Sequence, residues 1–157
     1  MNFLPTEHSR LYESNMDVKF SQLDKIQMRF NDIDLLGHVN NATIGEYFDL
    51  GRMNYLHRIF GGSVRIEHES FVIASTTSNF FVPILIHYKI EVCTKITKIG
   101  NKSLNMYQVV YDENGRKLVE CISVMVAFSS VSQQTIVIPM IWRDWIKSID
   151  EDCIDRV

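Results

Sequence analysis

Residues 29–60 read RFNDIDLLGHVNNATIGEYFDLGRMNYLHRIF, and this stretch decides the fold. It opens with a polar loop that contains four candidates for a functional site: Asp32, Asp34, Gly37 and His38. Asn40 and Asn41 follow directly, and asparagine is among the residues that best cap the first turn of a helix. The pattern predicts a carboxylate-bearing loop that leads straight into a helix N-terminus.

Apolar residues after the asparagines recur at intervals of three and four, which indicates an amphipathic helix of about 20 residues. The recurring positions are Ile44, Tyr47, Phe48, Gly51, Tyr55 and Ile59. Gly61 and Gly62 end the pattern. Gly45 and Gly51 each lower intrinsic helix stability by up to about 1 kcal/mol relative to Ala. We therefore expect surrounding structure to hold this helix by burying it.

Strand patterns lie on both sides of the helix. Before it, alternation from Ile26 predicts a strand that ends at Phe30, after a polar lead-in of about 15 residues. After it, four runs predict strands: residues 70–83, 86–96, 104–111 and 117–129. The run 86–96 alternates and should be half-buried, whereas 117–129 is apolar on both faces and should be buried on both sides. Pro139 should open a short helix, which an acidic tail follows.

One long helix among antiparallel strands cannot be enclosed by a flat sheet. The pattern therefore predicts an α+β domain in which a curved antiparallel sheet wraps around a single central helix. No linker or repeat divides the chain, so we expect one domain over residues 1–157, with its core at about residues 17–140.

Composition excludes several classes of function. The net charge is -3 and the isoelectric point is near 5.9, which gives no general attraction to nucleic acid or to an anionic membrane. No apolar run approaches the roughly 20 residues that a membrane-spanning helix needs. The N-terminus lacks the pattern of an export signal, and the three cysteines fit neither a disulfide framework nor a zinc motif. We expect a cytoplasmic protein.

The loop and helix carry a family resemblance. Residues 29–34 (RFNDID) and 37–41 (GHVNN), with Tyr47 on the helix, resemble the motif of the hotdog-fold acyl-CoA thioesterases, the group that includes hydroxybenzoyl-CoA thioesterase. They also resemble the plant acyl-carrier-protein thioesterases. Residues 98–103 (KIGNKS) look like the family's I-G-x-x-S hairpin, and the likeness covers roughly residues 17–140.

The resemblance implies a hotdog fold, thioester hydrolysis, and a homodimer or homotetramer whose site lies at an interface. It makes Asp34 the catalytic carboxylate and Asp32 a structural residue. Leu36 departs from the plant pattern, which has asparagine there, so the aspartate-only mechanism is favoured. The substrate would be an acyl-CoA or an acyl-carrier protein, with no cofactor beyond coenzyme A as part of the substrate.

Several residues take roles around that chemistry. Asp34 could attack the thioester carbonyl or act as general base, while amides at the helix N-terminus stabilise the oxyanion. Supporting positions are Gly37, His38 and Asn41, the last most simply as a cap. Substrate-binding candidates are Tyr47, which could line an acyl pocket, and Lys102 and Ser103, which could meet the phosphates of coenzyme A.

Several of these proposed roles have a less specific alternative. Asp34 could simply cap its loop, and the His38 imidazole could hydrogen-bond backbone. A metal site of Asp32, Asp34 and His38 has suitable residue types but no fourth ligand, so we expect no metal. The competing functions are a catalytically silent hotdog domain that binds acyl groups or assembles with partners, and a hotdog dehydratase.

Overall fold

One antiparallel sheet and one long helix make up most of the fold, seen in a computed structural model that describes residues 18–61 and 68–156. The elements are β1 (Gln22–Ile26), α1 (Asn41–Ile59), β2 (Glu69–Phe80), β3 (Ile90–Ile99), β4 (Ser103–Asp112), β5 (Lys117–Ser129), β6 (Gln134–Thr135), α2 (Met140–Ile149) and β7 (Ile154–Asp155). The main sheet order is β1-β3-β4-β5-β2, with β6 beside β5 and β7 parallel to β3. The expected α+β hotdog architecture is confirmed. The polar lead-in and Gly62 lie outside the described residues.

Helix α1 runs for 19 residues and begins where the sequence predicts. Its cap is Asn40, whose side-chain oxygen accepts a hydrogen bond from the amide of Ala42 at 2.8 Å. Its buried side is the predicted apolar stripe, widened by Leu56, together with one charged residue, Arg52. None of the helices in the described part of the chain is long and apolar enough to span a membrane.

The middle of α1 lies unusually close to the sheet. A Cβ atom added to Gly51 would come within 2.8 Å of a Val92 methyl carbon and 2.9 Å of the Thr94 hydroxyl oxygen. Only glycine allows that approach, so Gly51 sets the distance between helix and sheet. A Cβ atom added to Gly45 would meet no atom within 4 Å, so no close contact requires glycine at that position.

Two apolar clusters pack against the two halves of α1. The half nearest the N-terminus, with Ile44 and Phe48, contacts Ile90 and residues around Val110 and Leu118. The C-terminal half contacts the opposite end of the sheet, at Ile99 and Leu104, and the second helix. The helix therefore spans the sheet from end to end, and its N-terminus lies at one edge of the core.

Three strand boundaries differ from expectation, and the smallest difference is that β2 ends at Phe80, three residues before the predicted end. The first strand ends at Ile26, not at Phe30, because residues 30–32 form a turn of 3₁₀-helix that places Phe30 in solvent. Strand β3 starts at Ile90, four residues later than the alternation suggests, because residues 84–89 form a loop. Residues 92–96 are buried on both faces.

The prediction that residues 117–129 are buried on both sides is wrong. Burial along β5 alternates, and Ile122 on the outer face is half exposed. A strand is covered on both faces only where layers pack on both, and helix α1 covers only the inner one.

The acidic C-terminal segment is anchored to the sheet. Asp150 accepts hydrogen bonds from the Tyr55 hydroxyl and, at 2.7 Å, from the Ile96 amide. The buried Lys95 ammonium pairs with Asp152 at 2.6 Å, and Arg143 pairs with Asp155 at 2.7 Å. The contact with Asp152 covers β3 at Lys95, and a separate cluster with Phe20 and Val109 covers it at Cys93, so the strand is buried on both faces.

Asp32 links the polar loop to helix α1. It is 5% exposed, and its Oδ2 accepts hydrogen bonds from the Tyr47 hydroxyl at 2.6 Å and the Arg29 amide at 2.7 Å. Its backbone carbonyl accepts a third from the Asn40 amide at 2.8 Å. Burial alone raises the pKa of Asp32, but these side-chain bonds and the charge of Arg29 together hold that pKa below its usual value.

Tyr47→Phe should lower the free energy of unfolding by about 1–3 kcal/mol at pH 7, because it removes a buried hydrogen bond to a charged group. A carboxylate with a lowered native pKa stabilises the fold above its unfolded pKa, near 3.9, and loses that contribution as pH falls through the native value. The loss should therefore be constant from about pH 7 to 5 and shrink below about pH 4. Urea denaturation across this range measures it.

The control is the double-mutant cycle of Tyr47→Phe with Asp32→Asn. The two substitutions should be non-additive by about 1 kcal/mol or more at neutral pH, since Tyr47→Phe removes the bond and Asp32→Asn removes the charge that strengthens it. Strict additivity would show that the pair contributes nothing beyond packing.

Candidate active site

The loop between Asp34 and His38 is closed by hydrogen bonds to Asp34 itself. The Asp34 amide donates to the His38 carbonyl at 2.8 Å, and the Gly37 amide donates to the Asp34 carbonyl at 3.1 Å. The Asp34 side-chain oxygen Oδ1 accepts from the amides of Leu36 at 2.8 Å and His38 at 3.3 Å. Two donors on one oxygen fix the carboxylate, while Oδ2 has no hydrogen-bond donor among the described residues.

Gly37 makes this turn possible. Its φ of 78° lies in the left-handed region, where a residue with a side chain is strained. Antiparallel pairing of Ile33 with Val39 closes the loop at its base. The supporting role predicted for Gly37 thus has a structural basis in backbone geometry.

Backbone donors at the start of α1 lie beside this loop. The Ala42 amide is occupied by the Asn40 cap, whereas the amides of Asn41 and Thr43 have no acceptor among the described residues. Unpaired amides at a helix N-terminus favour negative charge, which suits an oxyanion. The prediction that Asn41 caps the helix is wrong, because Asn40 takes the cap position and Asn41 is the first helical residue.

Asp34 and Asn41 line the same pocket, a cavity of about 330 Å³. Its other polar walls are His38 and Asn40. The rest of the lining is mainly apolar: Leu36, Val39, Ile44, Phe80, Val82 and Ile84. An aspartate, the first residue of α1 with its unpaired amide, and apolar residues therefore line one concave site, which suits acyl-transfer chemistry.

His38 contributes to the pocket in two ways. Its backbone holds Asp34, as described above, and its half-buried imidazole lines the cavity. The imidazole makes no hydrogen bond to a described residue, so its expected bond to backbone is not formed.

Tyr47 does not line the pocket. It is 4% exposed, packs in the core beside Ile44, and gives its hydroxyl to Asp32. The predicted substrate contact is therefore absent in this chain, and Tyr47 instead supports the loop from behind. Asp32 faces Tyr47, as its expected structural role requires.

Lys102 and Ser103 lie at the other end of the sheet from the pocket. Lys102 lies in the turn after Ile99 and Ser103 begins β4, whereas the pocket packs at the end of the sheet where β3 starts, at Ile90. The two ends of β3 are about 30 Å apart at 3.3 Å per residue. Within one chain the predicted phosphate contacts and Asp34 are therefore not brought together.

The conceivable metal set is not assembled either. Asp32 is turned toward Tyr47, while Asp34 and His38 line the pocket. Within residues 18–61 and 68–156, no three His, Cys, Asp or Glu side chains are grouped so as to hold a metal ion.

Sequence reasoning missed one wall of the pocket. Phe80, Val82, Pro83 and Ile84 come from the end of β2 and the loop after it. The amide of Val39 donates to the Ile84 carbonyl at 2.8 Å, which ties this segment to the Asp34 loop. Pro83 marked the end of the strand, but nothing local in the sequence indicates that the two segments meet.

Comparison with known proteins identifies the superfamily of this chain. Residues 28–148 match the model of the thioesterase-like superfamily. A thioesterase from Thermus thermophilus, solved with coenzyme A and zinc, is similar, with 29% identity and a TM-score of 0.76 over 84% of this chain and 96% of that one. A 1,4-dihydroxy-2-naphthoyl-CoA thioesterase from Synechocystis shares the fold, at 14% identity and a TM-score of 0.71 over 82% of this chain and 97% of its own.

A sequence relative is the uncharacterized protein YsmA of Bacillus subtilis, 25% identical over 117 residues, which are 74% of this chain and 79% of the relative. The family match spans the loop, helix α1, the sheet from β2 to β6 and most of α2. The resemblance inferred from the Asp34 loop is thereby confirmed, and the chain belongs to the thioesterase-like superfamily.

Proposed function

We propose that this protein is an acyl-CoA thioesterase that hydrolyses a thioester to a carboxylic acid and a free thiol. The observation that carries the proposal is that Asp34 and Asn41, the first residue of α1, line one pocket. The coenzyme A bound to the Thermus thermophilus thioesterase supports coenzyme A as the carrier. An acyl-carrier-protein thioesterase is the alternative, and supplying one acyl group on both carriers separates the two.

Asp34 acts on the carbonyl carbon in one of two ways. As a nucleophile, its oxygen adds to the carbon, the thiolate leaves, and water cleaves the resulting mixed anhydride. As a general base, it takes a proton from water, the hydroxide adds to the carbon, and the thiolate leaves and is protonated. Both routes need the ionised carboxylate, and both leave Oδ2 as the reacting oxygen because Oδ1 holds the loop.

The carbonyl oxygen becomes negative in either route. Asn41 lines the pocket at the positive end of α1, and its amide has no acceptor among the described residues, so it is the candidate donor. A fixed backbone donor stabilises such an oxyanion without reorganisation. His38 completes the polar side of the pocket.

Asp34→Asn tests the chemistry with little effect on the loop. The asparagine Oδ1 can still accept from the amides of Leu36 and His38, so only the charge is lost. We expect turnover of the best acyl-CoA ester to fall at least about a hundredfold. Thiol release monitored with a thiol-reactive dye measures it.

Two variants serve as controls for that measurement. Asp144→Asn makes the same change on an exposed residue of α2 and should leave turnover unchanged. Asp32→Asn should cost less activity than Asp34→Asn and more stability, since Asp32 holds the loop. Near-normal hydrolysis by Asp34→Asn would falsify the mechanism, and acyl-CoA binding without hydrolysis by the natural sequence would favour the silent acyl-binding alternative.

We also propose that the protein is a homodimer at least, joined through β2. This strand has 12 residues, pairs with β5 on one side, and has no described strand on the other. Val72, Ile73 and Phe80 along it are about half exposed. Long apolar edges are usually paired in native proteins, and a two-fold axis pairs β2 with its own copy.

The same arrangement would cover the pocket, because Phe80 belongs both to this edge and to the pocket wall. It also offers the single way for Lys102 and Ser103 to act on the substrate. Since they lie at the far end of their own sheet, a contribution from them requires a second copy of the chain. A tetramer formed from two such dimers is compatible with the same edge.

Light scattering at micromolar concentration should give at least twice the 18.3 kDa chain mass. The double variant Val72→Lys/Ile73→Lys should shift the protein toward monomer, because it places like charges opposite one another across the axis. The matched control Met140→Lys/Ile141→Lys changes two exposed apolar residues on α2 and should leave the mass unchanged. A monomeric mass of 18.3 kDa for the natural sequence would contradict the proposed dimer.

A further inference from the structure

Tyr47 lies behind the candidate site, about one helical turn beyond Ile44, which lines the pocket. Side chains of a helix lean toward its N-terminus, so the Tyr47 hydroxyl reaches back to the loop and donates to Asp32 Oδ2 at 2.6 Å. Burial, followed by the hydrogen bond to Asp32, raises the pKa of Tyr47. The hydroxyl therefore keeps its proton and remains a donor at neutral pH.

The loop that carries Asp34 is a short backbone ladder that runs directly into α1. The Asn40 amide donates to the Asp32 carbonyl, and the Asp34 amide donates to the His38 carbonyl, both at 2.8 Å. Asn40 is also the cap of α1. A change in the orientation of Asp32 relative to this cap is therefore passed along the ladder to Asp34.

Asp32 is attached to α1 at two points. Its backbone carbonyl accepts from the Asn40 amide, and its side chain accepts from the Tyr47 hydroxyl. The two helix positions are seven residues apart, which is about 10 Å along the axis at 1.5 Å per residue. An attachment at the cap constrains the position of Asp32 more than its orientation, whereas a second attachment further along the helix constrains both.

We propose that Tyr47 is a positioning residue, whose hydrogen bond to Asp32 sets the orientation of the Asp34 loop against the first turn of α1. The inference rests on the proposed thioesterase function and adds to it a residue that raises turnover without touching the substrate, since Tyr47 does not line the pocket. Asp34 and Asn41 line the pocket and are proposed to act on one carbonyl group. A small error in their relative orientation slows such a reaction.

Tyr55 offers a matched control on the same helix. Its buried hydroxyl also donates to a buried carboxylate, that of Asp150, and burial raises the pKa of Tyr55 as it does that of Tyr47. Tyr55 packs in the cluster at the opposite end of the core from the pocket. Loss of either hydroxyl removes a buried bond to a carboxylate, but only Tyr47 is joined to the Asp34 loop.

The kinetic test compares Tyr47→Phe with Tyr55→Phe on the best acyl-CoA ester, under conditions in which urea denaturation shows each variant to be folded. We expect kcat of Tyr47→Phe to fall at least about tenfold while KM stays within about threefold, because the residues that line the pocket are unchanged. Tyr55→Phe should keep kcat within about twofold of the natural sequence. Equal effects of the two variants on kcat would show that Tyr47 is purely structural and overturn the inference.

Hydrogen exchange of the loop amides separates this inference from the hydrolase proposal. The amides of Asp34 and Asn40 form the ladder, so their exchange rates, followed by NMR, report its integrity without any substrate. Both rates should rise at least about threefold more in Tyr47→Phe than in Tyr55→Phe. That result supports the positioning of the loop by Tyr47 even if the natural sequence hydrolyses no thioester, an outcome that would count against the proposed function alone. Equal exchange in the two variants overturns the inference.

Discussion

The close contact between helix α1 and the sheet at Gly51 is the constraint on which the site depends. With no side chain at this position, the helix lies against Val92 and Thr94, so the two halves of its apolar stripe reach opposite ends of the core. The depth of the helix fixes where its first turn emerges. A bulkier residue would lift the helix and move the Asn41 amide relative to the loop, so a residue ten positions away in sequence bears on the geometry of the pocket.

The carboxylates of Asp32 and Asp34, which are separated by one residue, make different contacts because their surroundings differ. Asp32 is buried, satisfied by Tyr47 and by the Arg29 amide, and its low pKa keeps it ionised as a structural anion. Asp34 uses one oxygen to hold its own loop and leaves the other without a described donor. Asp32 thus fixes the loop to the helix, which leaves one oxygen of Asp34 available for the proposed chemistry.

Local pattern predicted the central helix and its start because these depend on spacing within one stretch, and the strand runs around it predicted a curved antiparallel sheet. The hotdog fold itself came from the family resemblance of the Asp34 loop. Local pattern failed where the outcome depends on segments distant in sequence. Nothing near Phe30 shows that the strand stops at Ile26, and nothing in β5 shows that Ile122 has no layer over it. The loop motif pointed to Asp34, which does line the pocket. The hairpin motif suggested Lys102 as a phosphate contact but says nothing about its distance from Asp34, and Lys102 lies at the other end of the sheet.

The location of the pocket follows from the order of the strands. Strand β2 is last in the sheet, so its end at Phe80 is both the open edge of the fold and a wall of the cavity. The Asp34 loop reaches this edge because Val39 is hydrogen-bonded to Ile84 in the segment after β2. The edge of the proposed dimer and one part of the pocket lining are thus the same strand end. In the proposed dimer, a second chain that pairs with β2 would therefore also border the pocket at Phe80.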